Sequence, residues 1–178
     1  MSNEKITLHG VFMKVMHMGV LLAGASGVGK SELALELLSR GHCLIADDAP
    51  EFSRSANGAI EGRCPDVLRD FLEVRGLGVI NVRAMFGDKA VMSRAELNII
   101  LQLKVLGVEL LAKVDRLRAS HDTFEVLENE VPRITLPVVP GRNVAILVEA
   151  AVRSHQLMLD GYDAAADFSR RQQSYLTG

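Results

Sequence analysis

The run Gly24-Ala25-Ser26-Gly27-Val28-Gly29-Lys30-Ser31 matches the pattern G-x-x-x-x-G-K-[ST] in full. Glycines at these places let the backbone turn its N–H groups toward a polyphosphate, and a helix starting there presents its positive end to the same oxygens. Lys30 adds a mobile point charge for the β- and γ-phosphates, and the Ser31 hydroxyl can ligate Mg²⁺. The plainer reading, a Gly-rich strand-to-helix turn with a surface lysine, gives way because pattern and flanking context agree. Such a loop identifies the ligand and not the reaction, so a metal partner and a base are needed as well. Asp47-Asp48 follows the apolar run Cys43–Ala46 and so stands at the carboxyl end of a strand, the edge where open α/β sheets bind ligands. Side chains alternate at a strand end, so one aspartate can assist Mg²⁺ while the other faces an acceptor.

Other candidates carry less on residues alone. His9, before Gly10, is a lone histidine, a type more often structural than functional. Glu73 and Arg75 flank Val74 on one side of an extended segment and read equally as an ion pair or as a metal ligand plus a phosphate clamp. Asp115-Arg116, placed on a helix near Lys113 and Arg118, reads by itself as a solvated face. Met16-His17-Met18 reads as gap filling beside a buried strand rather than as a metal site. Arg142 follows Pro140-Gly141 on a turn close to a helix start, a place that suits an anion but also an ordinary capping turn.

These groups need elements to hold them. Thr7–Val15 and Gly19–Ala23 read as strands, the second nearly all apolar as for a strand buried on both faces. A helix over Glu32–Arg40 with Gly41 as its stop separates the loop from strand Cys43–Ala46. Asn57-Gly58 marks a hairpin between Glu51–Arg54 and Ala59–Glu61. Leu72–Asn81 looks like a loop leading into a strand. Leu97–Val105 alternates as a half-buried strand, and Ile134, Leu136 and Val138 repeat that alternation. Val144–Leu159 is an amphipathic helix with Asn143 as cap and Gly161 past its end, and Asp163 caps a final helix. The fold class is α/β: a P-loop kinase-like domain with a mixed sheet flanked by helices, plus C-terminal helices.

Length and composition set outer bounds. The 178 residues suit one domain over residues 1–178, and 48% hydrophobic with 24% charged leaves ample core and no signature of disorder. A formal net charge of −2 argues against broad capture of nucleic acid or an anionic membrane. No apolar run reaches the ~20 residues of a membrane span. Cys43 and Cys64 lack C-x-x-C spacing, so a reducing cytoplasm is the default expectation.

Taken together, several segments resemble a known family. They are His9-Gly10, the loop with Glu32-Leu33-Ala34-Leu35-Glu36-Leu37 behind it, Ala46-Asp47-Asp48, Leu72-Glu73-Val74-Arg75-Gly76-Leu77-Gly78, and Pro140-Gly141-Arg142-Asn143. In this order they resemble the catalytic domain of HPr kinase/phosphorylase, and the Leu72–Asn81 segment is nearly diagnostic. The resemblance implies ATP- and Mg²⁺-dependent phosphorylation of a serine on the phosphocarrier HPr, and the reverse phosphorolysis with inorganic phosphate, giving pyrophosphate. It also implies pyrophosphate as an alternative donor and a homohexamer. Under it Gly24–Ser31 bind nucleotide, Lys30 holds the transferring phosphate, and Ser31 and Glu73 bind Mg²⁺. Asp48 serves as base and, in reverse, acid; His9 and Arg116 match catalytic positions, with Asp47 and Arg75 in support. The segment Pro137-Val138-Val139-Pro140-Gly141-Arg142 matches the one tied to phosphorolysis.

Three departures stand out. Many members carry a separate amino-terminal domain, which this chain is expected to lack, as a piece of a longer chain or a short version. Ala25 stands where an acid is frequent, and Val139 where many members place arginine, which bears on the efficiency of phosphorolysis. A small-molecule kinase and a nucleotide-binding module without catalysis are the competing functions. Asp48 beside an intact loop speaks against the second.

Overall fold

The computed structural model describes residues 4–116 and 118–177. Strand β1 (Lys5–Thr7) is followed by β2 (Val11–Val15) and β3 (Met18–Gly24), and β2 pairs antiparallel with β3 on one side and β4 (Cys43–Ala46) on the other. The hairpin β5 (Glu51–Arg54) and β6 (Ile60–Arg63) binds β1 at one edge and the start of β9 (Arg94–Val105) at the other. A separate hairpin joins β7 (Phe71–Val74) to β8 (Gly78–Asn81). Strand β10 (Ser120–Val126) pairs antiparallel with β11 (Asn129–Val138), and β11 and β3 both run parallel to β9. The helices are α1 (Lys30–Ser39), α2 (Val82–Phe86), α3 (Val108–Leu111), α4 (Val144–Leu159) and α5 (Ala164–Thr177).

The strand directions decide where chemistry can occur. Because β3, β4, β9 and β11 point the same way, their carboxyl ends share one rim. Strand β2 runs against them and therefore begins at that rim. Gly24, Asp47, Val138 and His9-Gly10 thus meet at one edge although they are far apart in sequence.

Apolar alternation builds a core on each face of the sheet. Val20, Leu22, Ile99 and Leu101 pack with Leu33 and Leu37 of α1 and Val148 and Val152 of α4. Leu21 and Ile100 point the other way, into Phe12, Phe52 and Ile60, where the two phenylalanine rings meet edge-on at 5.1 Å. Each fully buried side chain of this size contributes about 1.5–3 kcal/mol. Helix ends follow side-chain chemistry. The amides of Gly41 and His42 return to the carbonyls of Leu38 and Leu37, and Gly41 takes the left-handed conformation (φ +92°) that this closure requires. Asn143 Oδ1 accepts from the Ile146 amide at 3.1 Å, and Asp163 Oδ1 from that of Ala166 at 3.0 Å. No helix among the described residues is long and apolar enough to cross a membrane.

Four expectations need correction. Thr7–Val15 is two strands, broken at His9-Gly10; a Cβ on Gly10 would lie 2.5 Å from the Leu22 carbonyl oxygen, so only glycine allows this approach. Strand β9 departs from a simple half-buried alternation, because Ile99, Leu101 and Leu103 pack into the first core while Leu97 and Ile100 pack into the second, with Asn98 and Gln102 half-buried and Lys104 exposed. Leu72–Asn81 is a complete hairpin, turning at Arg75-Gly76-Leu77. Asp115-Arg116 lies beyond α3, in a turn where Asp115 Oδ1 accepts from the Arg118 amide at 3.2 Å in place of a helical bond.

A charged clamp ties α4 to the end of α1. Glu149 accepts from Arg40 Nε at 2.9 Å and Nη2 at 2.5 Å, and lies 2.8 Å from His42 Nε2. The Arg40 and His42 hydrogen bonds hold the Glu149 carboxyl at about 2, below the usual glutamate value. Its contribution is therefore complete above the unfolded carboxylate range and is lost as pH falls toward 2. Glu149→Ala is expected to cost about 1.5–3 kcal/mol at neutral pH, the worth of hydrogen bonds to a charged group. Denaturant titrations should show the gap between variant and wild type shrinking in acid.

Candidate active site

The loop between β3 and α1 is shaped by its neighbours. A Cβ on Gly24 would meet the Leu103 carbonyl oxygen at 2.8 Å, so the loop leaves the sheet pressed against β9. The Val28 amide closes the turn on the Ala25 carbonyl at 3.2 Å, and Gly29 caps α1. Lys30 Nζ donates to the carbonyls of Gly24 at 2.9 Å and Ala25 at 3.0 Å, which holds the ammonium over the loop. Ser31, Gly29, Gly27 and Ser26 then form one wall of a cleft of about 210 Å³.

Three other segments supply the remaining walls. His9, Gly10 and Val11 come from the bend before β2, Asp47 and Asp48 from the end of β4, and Glu73 and Arg75 from the β7–β8 hairpin. The hairpin is docked through buried Leu72 and Val74, which leaves the alternate residue Glu73 facing outward. Arg75 overhangs the loop, its Nη1 3.4 Å from where a Cβ on Gly27 would stand.

The two aspartates differ as their alternation requires. Asp47 is half-buried and its Oδ2 accepts from the Glu73 amide at 2.9 Å. Burial pushes its carboxyl above the ordinary aspartate value, and the amide hydrogen bond opposes that shift. Asp48 adopts a left-handed backbone (φ +66°), a conformation that costs a non-glycine residue about 1–3 kcal/mol and that Asp tolerates better than most. It turns outward, 3.0 Å from His9 Nδ1, with side chains 72% and 60% exposed respectively. An exposed pair of this kind contributes only ~0–1 kcal/mol to stability.

Of the residues singled out in the sequence, the cleft gathers His9, Lys30, Ser31, Asp47, Asp48, Glu73 and Arg75. Gly24, Ala25 and Val28 of the loop do not line it, and neither Arg116 nor the Pro137–Arg142 segment is brought there. Arg116 is exposed and lines a different cavity with Pro137, and Arg142 lines a third with Val138. The lining also holds Gly10, Val11 and Glu32, none of which was given a site role from the sequence. Glu32, in the first turn of α1, faces the cleft, and its place directly after Ser31 was the available signal.

The donor set fits a hard divalent cation. The Ser31 hydroxyl and the carboxylates of Asp47, Asp48 and Glu73 offer only oxygen, which Mg²⁺ prefers. Among the described residues no three His, Cys, Asp or Glu side chains form a ready cage. Mg²⁺ rarely uses one, since it keeps waters and takes one or two protein ligands plus substrate phosphates.

Comparison with known proteins places this geometry. Residues 2–172 match the model of the HPr Serine kinase C-terminal domain. The proteins named HPr kinase/phosphorylase from Xanthomonas campestris pv. campestris (strain B100) and Xylella fastidiosa (strain M12) are each 52% identical over 173 residues, or 97% of this chain. The chain spans about half, 55%, of the length of these curated relatives. A solved structure titled as the Hpr(Ser) kinase/phosphatase from Coxiella burnetii superposes with a TM-score of 0.80 at 35% identity, covering 92% of this chain and 98% of that one. The matched order of loop, Asp47-Asp48 and Glu73 hairpin lies inside the aligned region. The chain therefore belongs to the HPr serine kinase C-terminal domain family.

Proposed function

We propose that this domain transfers the terminal phosphoryl group of ATP to a serine of HPr, and in reverse uses inorganic phosphate to take it back as pyrophosphate. The observation that carries the reading is the cleft itself, with Lys30 and Ser31 on one wall and an outward-facing Asp48, steadied by His9, on the other. Mg²⁺, when bound, offsets negative charge on the phosphates, and Ser31 and Glu73 are the residues that would hold it. Lys30 clamps the transferring group. Asp48 accepts the proton of the serine hydroxyl as its oxygen bonds to phosphorus and the bond to the ADP oxygen breaks. In reverse, a phosphate oxygen attacks the phosphoserine and Asp48 returns the proton to the departing serine oxygen. Asp47 is the poorer base because one of its oxygens already accepts from the Glu73 amide.

A protein acceptor fits better than a small metabolite, since the His9–Asp48 side stands open to solvent and a metabolite would ordinarily be enclosed. Use of pyrophosphate as donor, assembly as a hexamer and a cytoplasmic setting follow from the family resemblance and form part of the same proposal. The test is incubation with ATP, Mg²⁺ and HPr followed by mass measurement. A gain of one phosphoryl group on a serine is expected, and an unchanged mass rejects the reading.

A further inference from the structure

The cleft carries a phosphate loop, yet its fixed charge has the wrong sign for a polyphosphate. Four carboxylates line it, those of Glu32, Asp47, Asp48 and Glu73, against two full cations, Lys30 and Arg75. Three of the four are accounted for: Asp48 faces outward beside His9, Glu73 suits the metal, and Asp47 accepts from the Glu73 amide. Glu32 is left over. It is exposed, belongs to the first turn of α1 and makes no hydrogen bond or ion pair among the described residues. Its Oε2 stands 4.0 Å from where a Cβ on Gly29 would lie, so the carboxylate sits beside the loop backbone at the amino end of the helix.

The N–H groups and positive end of α1 that attract phosphate attract this carboxylate as well, so a phosphate seated at Gly29 meets a like charge close by. How strongly it is repelled depends on what it carries. A bare pyrophosphate or triphosphate tail brings its full negative charge. Its Mg²⁺ complex brings two charges fewer, together with a cation that the same carboxylate attracts through the waters Mg²⁺ keeps. We infer that Glu32 is a specificity-determining residue, which makes the cleft select phosphate donors as their Mg²⁺ complexes and reject the metal-free anions. The inference rests on the kinase reading above and assigns part of its metal requirement to a side chain that is not one of the metal's own ligands. In terms of linkage, Glu32 strengthens the coupling between Mg²⁺ and polyphosphate, each raising the other's affinity by one common factor.

Glu32→Gln keeps the size of the side chain and removes its charge, and an exposed residue carries no core packing to lose. Calorimetry with pyrophosphate in EDTA should show binding tightened by about 5- to 50-fold, the scale of one like charge removed near a protein surface. In saturating Mg²⁺ the affinity should stay within about three-fold of wild type, well under the ten-fold that 1.4 kcal/mol represents. ATP and inorganic tripolyphosphate should follow the same pattern, since the effect lies at the phosphates. An equal shift in both conditions, or none in EDTA, would overturn the inference. Glu32→Asp restores the charge on a chain one carbon shorter and should return the ratio of metal-free to Mg²⁺ affinity toward wild type. A ratio matching that of Glu32→Gln would mean that shape is read and not charge, and would overturn it too.

An acidic residue in the first turn also stabilises a helix by itself. That role alone would lower the melting temperature of Glu32→Gln and leave the metal ratio at its wild-type value, which rejects the proposal. Salt gives a further check, because the Debye length falls from ~10 Å at 0.1 M to ~3 Å at 1 M. The gap in metal-free affinity between wild type and Glu32→Gln should narrow over that range, and a gap indifferent to salt would count against a charge effect. None of these measurements needs turnover. If HPr gains no phosphate, the kinase reading fails while the binding ratio still decides the role of Glu32. If the wild-type chain binds no pyrophosphate with or without Mg²⁺, both fall.

Discussion

Lys30→Ala is expected to lower phosphoryl transfer by about 10² to 10³ or more in both directions, the scale for loss of a group that stabilises charge in the transition state. The lysine can act this way because its carbon chain runs from the first residue of α1 back over the loop, and its ammonium is held at the Gly24 and Ala25 carbonyls. Two neutral hydrogen-bond acceptors hold it loosely compared with a phosphate, so the charge can be redirected to a ligand with little loss. The fold should survive, since α1 is anchored by Leu33, Ala34, Leu37 and Leu38 and not by Lys30. Kinase and phosphorolysis rates on a variant with wild-type circular dichroism and melting would check this. Near-normal turnover in either direction would remove Lys30 from the site.

What could be read in the sequence was what local chemistry dictates. The phosphate loop, the Gly41 helix stop, the Asn57-Gly58 hairpin and the Asn143 and Asp163 caps depend on a few neighbouring residues, and each is found in the structure. The errors share another cause. Thr7–Val15 has one continuous strand-like pattern, and its break at Gly10 comes from the distant Leu22 carbonyl. The Leu72–Asn81 hairpin was obscured because Val79 and Gly78 on its second strand are exposed, which hides the alternation that Leu72 and Val74 show on its first. Tertiary contact decided both.

The site was legible in the same graded way. Composition and spacing found Lys30, Ser31, Asp47 and Asp48, but gave no ground for raising His9 or Glu73 above structural roles. Only the resemblance did that. Their presence in the cleft depends on β2 running against β3 and on a hairpin that docks Glu73 through its own backbone onto Asp47, neither of which any local pattern encodes. Arg116 and Arg142 show the converse. Their residue type suits phosphate, yet the chain carries them to other cavities.

Asp48→Asn separates chemistry from binding. The amide is nearly isosteric, the left-handed backbone at residue 48 is one that Asn also tolerates, and the exposed side chain carries no core packing. Folding and nucleotide binding should therefore persist, with ATP affinity within a few-fold of wild type because Lys30, Ser31 and Glu73 are untouched. The rate of HPr phosphorylation should fall by at least about 10², the usual worth of a general base. His9 offers a control on the same pair. Its imidazole contacts Asp48 at 3.0 Å and would only orient that carboxylate, so His9→Ala should cost less than Asp48→Asn and add little in the double variant. Additive losses would show that His9 acts on the substrate by itself. If Asp48→Asn instead abolishes Mg²⁺-dependent ATP binding and leaves the rate at saturation intact, Asp48 belongs with the metal. The base would then be Asp47, whose burial-raised affinity for protons makes it the remaining carboxylate suited to take one from the serine.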